Sequence, residues 1–316
     1  MYRLLEESIE LGRKSIGTGQ LASYIPELTK ADPDHIGVSV RSVDGRLWHA
    51  GDYEKRFTMQ SISKIASLLA AFDNCGTGKV FSKVGMEPSG EAFNAFADLA
   101  ITNANPTNPM INAGALTVAW MLTECVTFDE MLGYVRKLCM DPEIDLDEDV
   151  FQSEMNNSAR NHSIAYLLKS TNVIEGDVEK TLDLYTRMCS LRVTSDSLAN
   201  FASVLACDGS EPVTGERFMT HQSALLAKTI MLTCGMYDGS GEFAVRVGVP
   251  AKSGVGGGLM AVSDRRLGIG IFGPELDKKG NSVAGQKILE NLSKELDLHL
   301  FGRSSSTYVN RYELNK

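Results

Sequence analysis

The sequence predicts an α+β fold in which one antiparallel sheet is assembled from both ends of the chain, with flanking helices and a helical lobe. Three observations carry this reading. Near the start, Ile36, Val38 and Val40 alternate with polar residues, Asp44-Gly45 supplies a tight turn, and Leu47-Trp48-His49 returns as a second strand. Near the end, Gly258-Leu259-Met260-Ala261-Val262, the turn Ser263-Asp264-Arg265-Arg266 and Leu267-Gly268-Ile269-Gly270-Ile271-Phe272 make another antiparallel pair, followed by a helix over about 283–298. Between them, apolar residues recur three and four apart, as in Leu182, Leu184, Tyr185 and Met188, so the middle is helical. Strands first and last with helices between imply one domain over 1–316, with a sheet lobe from about 1–64 and 206–316 and a helical lobe of about 65–205. A ligand is expected in the cleft between the lobes.

Each part of the chain supports this assignment. Residues 1–13 read as an amphipathic helix, with Leu4, Leu5, Ile9 and Leu11 among acids and without the apolar core or cleavage site of a signal peptide. The longest apolar runs, 65–72 and 113–122, are too short for a membrane span. A chain of 316 residues with 43% apolar content can bury a large core, and a formal charge of -9 without a Lys/Arg cluster argues against a nucleic-acid partner. The expectation is a cytoplasmic protein with no membrane partner. The six cysteines (Cys75, Cys125, Cys139, Cys189, Cys207, Cys234) contain no C-x-x-C pair and read as buried reduced thiols. His35, His49, His162, His221 and His299 lack metal-ligand spacing, so no metal and no cofactor is implied. The polar tail 303–316 is expected to be disordered or to dock on a neighbour.

The most informative segment is Phe57-Thr58-Met59-Gln60-Ser61-Ile62-Ser63-Lys64, with Ile65, Leu68, Leu69 and Phe72 following at helical spacing. It places a serine at a helix start and a lysine three residues on, on the same face, so the Ser61 hydroxyl and Lys64 amine can approach each other. A helix N-terminus favours a developing alkoxide and offers backbone N–H groups to an oxyanion. Lys64 must be neutral to act as a base, a state that burial and nearby positive potential favour. Far downstream, Ala251-Lys252-Ser253-Gly254-Val255-Gly256-Gly257-Gly258 resembles the K-T/S-G strand that borders the site in active-serine enzymes carrying S-x-x-K.

Seven segments together resemble the serine-dependent glutaminases, bacterial and kidney-type, which share the fold of β-lactamases and penicillin-binding transpeptidases. They are Ser23-Tyr24-Ile25-Pro26-Glu27-Leu28, Gln60-Ser61-Ile62-Ser63-Lys64, Glu87-Pro88-Ser89-Gly90, Asn108-Pro109-Met110-Ile111-Asn112-Ala113-Gly114-Ala115, Phe151-Gln152-Ser153-Glu154, Cys234-Gly235-Met236-Tyr237-Asp238 and Ala251-Lys252-Ser253-Gly254-Val255. The resemblance covers nearly the whole chain. It implies hydrolysis of the L-glutamine side-chain amide, with Ser61 as nucleophile and Lys64 as base. The implied glutamine pocket comprises Tyr24, Gln60, Asn112, Glu154, Asn161, Tyr185, Tyr237 and Val255 around Ser61. Glu154 is the expected partner of the substrate ammonium, and Asn112 and Asn161 of its carboxylate. The backbone N–H groups of Ser61 and Val255 would hold the oxyanion, and either Tyr185 or Tyr237 would deliver a proton to the departing ammonia. Relatives imply a homo-oligomer, dimer or tetramer. A β-lactamase or transpeptidase is the first rival, but Ser195-Asp196-Ser197 lacks the Asn of an S-D-N motif. A binding module that only senses an amino acid is the second, and the intact Ser61, Lys64 and tyrosines oppose it.

Overall fold

The computed structural model describes residues 1–89 and 105–302. Gly90 of the Glu87-Pro88-Ser89-Gly90 segment and the tail 303–316 lie outside the described residues. Both predicted hairpins form, and they join into one sheet. β1 (Gly37–Ser42) pairs with β2 (Leu47–Gly51), and β6 (Gly258–Ser263) pairs with β7 (Leu267–Phe272). β1 also pairs with β7, Val40 opposite Ile269, so the two ends of the chain meet at the centre. With β5 (Ala251–Ser253) at one edge, the order is β2-β1-β7-β6-β5, antiparallel throughout. Two short strands, β3 (Phe57–Thr58) and β4 (Arg192–Val193), form a separate pair.

The alternation along these strands sorts side chains between two apolar clusters. Val38 and Val40, Leu259 and Ala261, and Leu267, Ile269 and Ile271 point to one face, where they pack with Leu5 and Ile9 of α1 (Tyr2–Arg13) and Ile288, Leu289 and Leu292 of α12 (Val283–Glu295). Each such side chain contributes about 2 kcal/mol when fully buried. Met260, Val262 and Phe272 point to the other face and join the larger cluster of the helices.

That second face is covered by α9 (Ser195–Ala206), which lies on β7. Glycine at alternate positions makes this approach possible. A Cβ on Gly268 would sit 2.2 Å from the Ser203 nitrogen, and one on Gly270 2.1 Å from the Ser195 oxygen. The Ser195-Asp196-Ser197 run opens this helix, with Thr194 and Ser197 forming a reciprocal cap.

The middle of the chain is helical, as its periodicity predicts. α2 (Ser63–Cys75) packs against α4 (Asn112–Thr123), which in turn packs against α8 (Val178–Cys189). α4 is buried from Asn112 to Leu122, consistent with a helix apolar on all sides. The remaining helices are α3 (Thr77–Lys83), α5 (Phe128–Cys139), α6 (Glu148–Asn156), α7 (Ala159–Ser170), α10 (His221–Cys234) and α11 (Ser240–Arg246). Among the described residues, no helix is long and apolar enough to cross a membrane.

Candidate active site

Ser61 lies in a single tight 3-10 turn, Gln60–Ile62, that leads directly into α2. Gln60, the residue before it, takes a left-handed φ of 48°, a conformation that costs a non-glycine residue free energy and that clusters at functional sites. The turn is pressed from one side by the chain leaving β5. A Cβ on Gly254 would lie 2.5 Å from the Met59 oxygen, and one on Gly256 2.6 Å from the Thr58 oxygen. Glycine in the Lys-Ser-Gly-Val-Gly segment thus lets two backbones touch beside the serine.

Lys64, the second residue of α2, is 3% exposed. Its Nζ donates to the Met110 carbonyl at 2.9 Å and to Asn112 Oδ1 at 2.8 Å. Burial pulls its pKa down to about 8, against the opposing pull of the Cys189 thiol and the Glu154 carboxylate. Ser61 is buried as well, and its hydroxyl is hydrogen-bonded to that of Tyr237. Tyr237 starts a 3-10 turn, Tyr237–Gly239, at a left-handed φ of 55°, and its hydroxyl donates to the Ser253 carbonyl at 3.2 Å. Burial raises the Tyr237 pKa, while the bond from Ser61 opposes that rise, so the phenol stays protonated at neutral pH.

The two candidate tyrosines occupy different places. Tyr185, on α8, donates to Asn112 Oδ1 at 3.4 Å, whereas Tyr237 meets Ser61. Asn112 opens α4 and is the hub of one wall: its Oδ1 accepts from Lys64 and Tyr185, and its Nδ2 donates to Asn161 Oδ1 at 3.0 Å. Asn161 sits on α7 and is half-buried.

Glu154, on α6, is 5% exposed, and its Oε2 has no hydrogen-bond partner. Burial raises its pKa to about 7, with the Gln60 amide and the charge of Lys64 pulling the other way. Gln60 also accepts from the Tyr24 hydroxyl and donates to Thr58 Oγ1 at 3.3 Å. Tyr24 has a half-exposed ring, which puts it at the rim. Val255 packs with Tyr237 and Leu276, with Ala22 and Leu28 against them. The residues of the inferred pocket are thus linked to one another by hydrogen bonds, charge and packing.

Two residues of the constellation escaped the pocket inferred from sequence. Lys252, fully buried on β5, donates to the Gly235 carbonyl at 3.1 Å and to the Ser253 carbonyl at 2.6 Å, and its Nζ lies 4.4 Å from the centre of the Tyr237 ring. Burial first, and then the charge of Lys64, hold its pKa well below the usual lysine range. Its only signal in the sequence is its place in the Lys-Ser-Gly run. Cys189 lies where Lys64, Glu154 and Tyr185 all act on its thiol, and it accepts from the Ser63 hydroxyl at 3.8 Å; nothing in its sequence neighbourhood marks it. No described residue forms an ion pair with Lys64, Lys252 or Glu154. Two buried amines and one buried carboxyl thus belong to the same network as Ser61 without pairing with one another, which is an arrangement for handling a charged ligand and moving protons.

An antiparallel sheet with helices on both faces, joined to a helical lobe, is the β-lactamase-like fold, and the chain is a hydrolase of that fold. The sequence signature of the family described as glutaminase matches residues 19–301. The glutaminase of Clostridium botulinum is 49% identical over 305 residues, which cover 95% of this chain and 100% of the relative. That of Clostridium tetani is 50% identical over the same span. Among solved structures, the probable glutaminase from Bacillus subtilis complexed with 6-diazo-5-oxo-L-norleucine has a TM-score of 0.86 and 38% identity, covering 95% of this chain and 97% of its own. The probable glutaminase ybaS has a TM-score of 0.88 at 32% identity, covering 95% and 99%. The chain belongs to the glutaminase family and is a glutaminase.

Proposed function

We propose that the enzyme cleaves the side-chain amide of L-glutamine through a covalent γ-glutamyl ester on Ser61. The observation that carries the reading is the buried Ser61 hydroxyl between Tyr237 and the first turn of α2, where burial lowers the pKa of Lys64 to about 8. In its neutral form Lys64 takes the Ser61 proton as the oxygen attacks the δ-carbonyl carbon. The backbone N–H groups of Ser61 and Val255 stabilise the resulting oxyanion. When the C–N bond breaks, the leaving nitrogen receives a proton from Tyr237, the tyrosine in contact with Ser61, and departs as ammonia. The proton held by Lys64 then returns to the Tyr237 phenolate; water adds to the ester and gives a proton to the again neutral amine, which passes it to the Ser61 oxygen as glutamate is released.

Recognition of a free amino acid falls to Glu154, Asn161 and Asn112. The unpartnered Oε2 of Glu154 is the acceptor for the substrate ammonium, whose arrival favours the ionised carboxylate. Asn161, with support from Asn112, donates to the α-carboxylate, and Gln60, Tyr24 and Tyr185 hold these groups in place. A relative that holds 6-diazo-5-oxo-L-norleucine, a reactive amino acid, supports a pocket of this kind. The enzyme is assigned to the cytoplasm as a dimer or tetramer working as one domain per chain. Exposed apolar side chains such as Val213 and Val245 are what an interface would cover.

The test is Ser61→Ala. Turnover should fall to background while glutamine still binds, and a γ-glutamyl ester should be trapped on Ser61 of the wild-type enzyme by acid quench and mass spectrometry. Residual activity above about a tenth of wild type would show that another group attacks the amide.

A further inference from the structure

The catalytic machinery occupies the N-terminal ends of α2 and α4, where Lys64 bonds to Asn112. The two helices run side by side in the same direction, so their C-terminal ends also meet. There α2 ends at Cys75, and Cys125 follows α4 by two residues. The two thiols are 3.9 Å apart. Both turn toward one carbonyl: Cys75 Sγ donates to the Met121 oxygen at 3.8 Å and Cys125 Sγ to the same oxygen at 3.5 Å. Cys125 is exposed and Cys75 half-buried, whereas Cys139, Cys189 and Cys234 are buried.

We propose that Cys75 and Cys125 form a redox-modifiable dithiol, which a small disulfide closes into a disulfide clasp between the C-terminal ends of α2 and α4. The exposed Cys125 thiolate attacks the oxidant RSSR, forming Cys125–S–S–R and releasing one RS⁻. Cys75 thiolate then attacks the Cys125 sulfur, forming the Cys75–Cys125 bond and releasing the second RS⁻. Two protein thiols lose two electrons and two protons, and one RSSR becomes two RSH. The closing step needs the thiols to move from contact to bonding distance, about 2 Å. Both lie at helix ends, where a side-chain rotation and a small backbone adjustment supply that movement. Burial and the neighbouring Cys75 raise the Cys125 thiol to about 11, so the reaction accelerates as pH rises.

The site is separate from the chemistry. Eleven residues of helix place Cys75 about 17 Å from Lys64. The clasp therefore acts on the stability of the helix pair and leaves the reacting groups where they are. Closing a loop of this length constrains the unfolded chain, and the thermal midpoint should rise by about 5 °C.

The experiment treats the full-length enzyme with oxidised glutathione at mildly alkaline pH, followed by alkylation and peptide mapping. Wild type should lose the mass of two hydrogens and yield a Cys75–Cys125 peptide that dithiothreitol reverses. Cys75→Ser should stop at one glutathione on Cys125, and Cys125→Ser should leave Cys75 unmodified. Accumulation of the mixed disulfide in wild type, a disulfide in either single variant, or a lower thermal midpoint on oxidation would overturn the clasp.

Discussion

Lys64 and Glu154 each hold a charge-bearing group where water cannot solvate it, and the direction of each pKa shift follows from that. Burial disfavours the charged form of both: the amine moves down to about 8 and the carboxyl up to about 7. Catalysis in the proposed mechanism needs a neutral amine on Lys64, which burial favours, and an ionised carboxylate on Glu154, which burial opposes. Both are reached by raising the pH. The value of kcat/KM should therefore climb with two ionisations between about pH 6 and pH 9. Lys64→Arg, which keeps the charge but cannot become neutral, should lose on the order of 10²–10⁴-fold in rate. Glu154→Gln should remove the lower ionisation from the profile of what activity remains. A profile flat across this range, or a Lys64→Arg enzyme near wild-type rate, would remove Lys64 from the role of base.

At the scale of the element, the fold rests on strands whose two faces do different work, and β7 shows it most clearly. Leu267, Ile269 and Ile271 fill one cluster, while Gly268 and Gly270 let α9 lie directly on the strand. Gly270→Ala would place a Cβ 2.1 Å from the Ser195 oxygen, a backbone atom at the first turn of α9 that cannot turn aside. The cost should be about 3 kcal/mol or more in urea unfolding, and a loss below about 1 kcal/mol would mean that α9 shifts easily. The hairpins around Asp44-Gly45 and 263–266 were legible in sequence because strand alternation and turn chemistry are local. The serine at the head of α2 was legible for the same reason, as a serine just before a helical run is a local pattern. The contact of Tyr237 with Ser61, Asn112 as the anchor of Lys64, and the burial of Lys252 over the Tyr237 ring were not. Each joins residues from different elements, and a polar residue next to a helix start reads equally well as a cap. Tyr185 and Tyr237 could not be told apart from sequence because both are aromatic residues at apolar positions; only the packing of the turn at 237–239 separates them.

For the molecule as a whole, the site is a source of instability that the two apolar clusters must offset, and its pH dependence is its signature. Glu154 has a folded pKa near 7 against about 4.5 when unfolded, so the folded state holds a proton that the unfolded state releases. The favourable contribution of the neutral carboxyl is complete below about pH 4.5 and disappears as the pH rises through 7, a change of about 3 kcal/mol. Lys64 acts in the other direction. Its folded pKa near 8 lies below the ordinary 10.5, so its burial opposes folding below pH 8 and that opposition is relieved between about 8 and 10.5. Neutral to mildly alkaline pH is thus where both charges weigh most heavily on the fold, and also where the mechanism needs the carboxylate ionised. Glu154→Gln keeps the shape of the side chain and deletes its titration. Relative to wild type, this variant should gain stability as the pH goes from 5 to 8, by about 2–3 kcal/mol, while losing the ammonium site. Urea unfolding of both proteins at the two pH values measures it directly. A difference between wild type and variant that is the same at pH 5 and pH 8 would mean that Glu154 is already ionised and solvated in the folded enzyme. The reading of its unpartnered Oε2 as the seat of the substrate ammonium would then lose its physical basis.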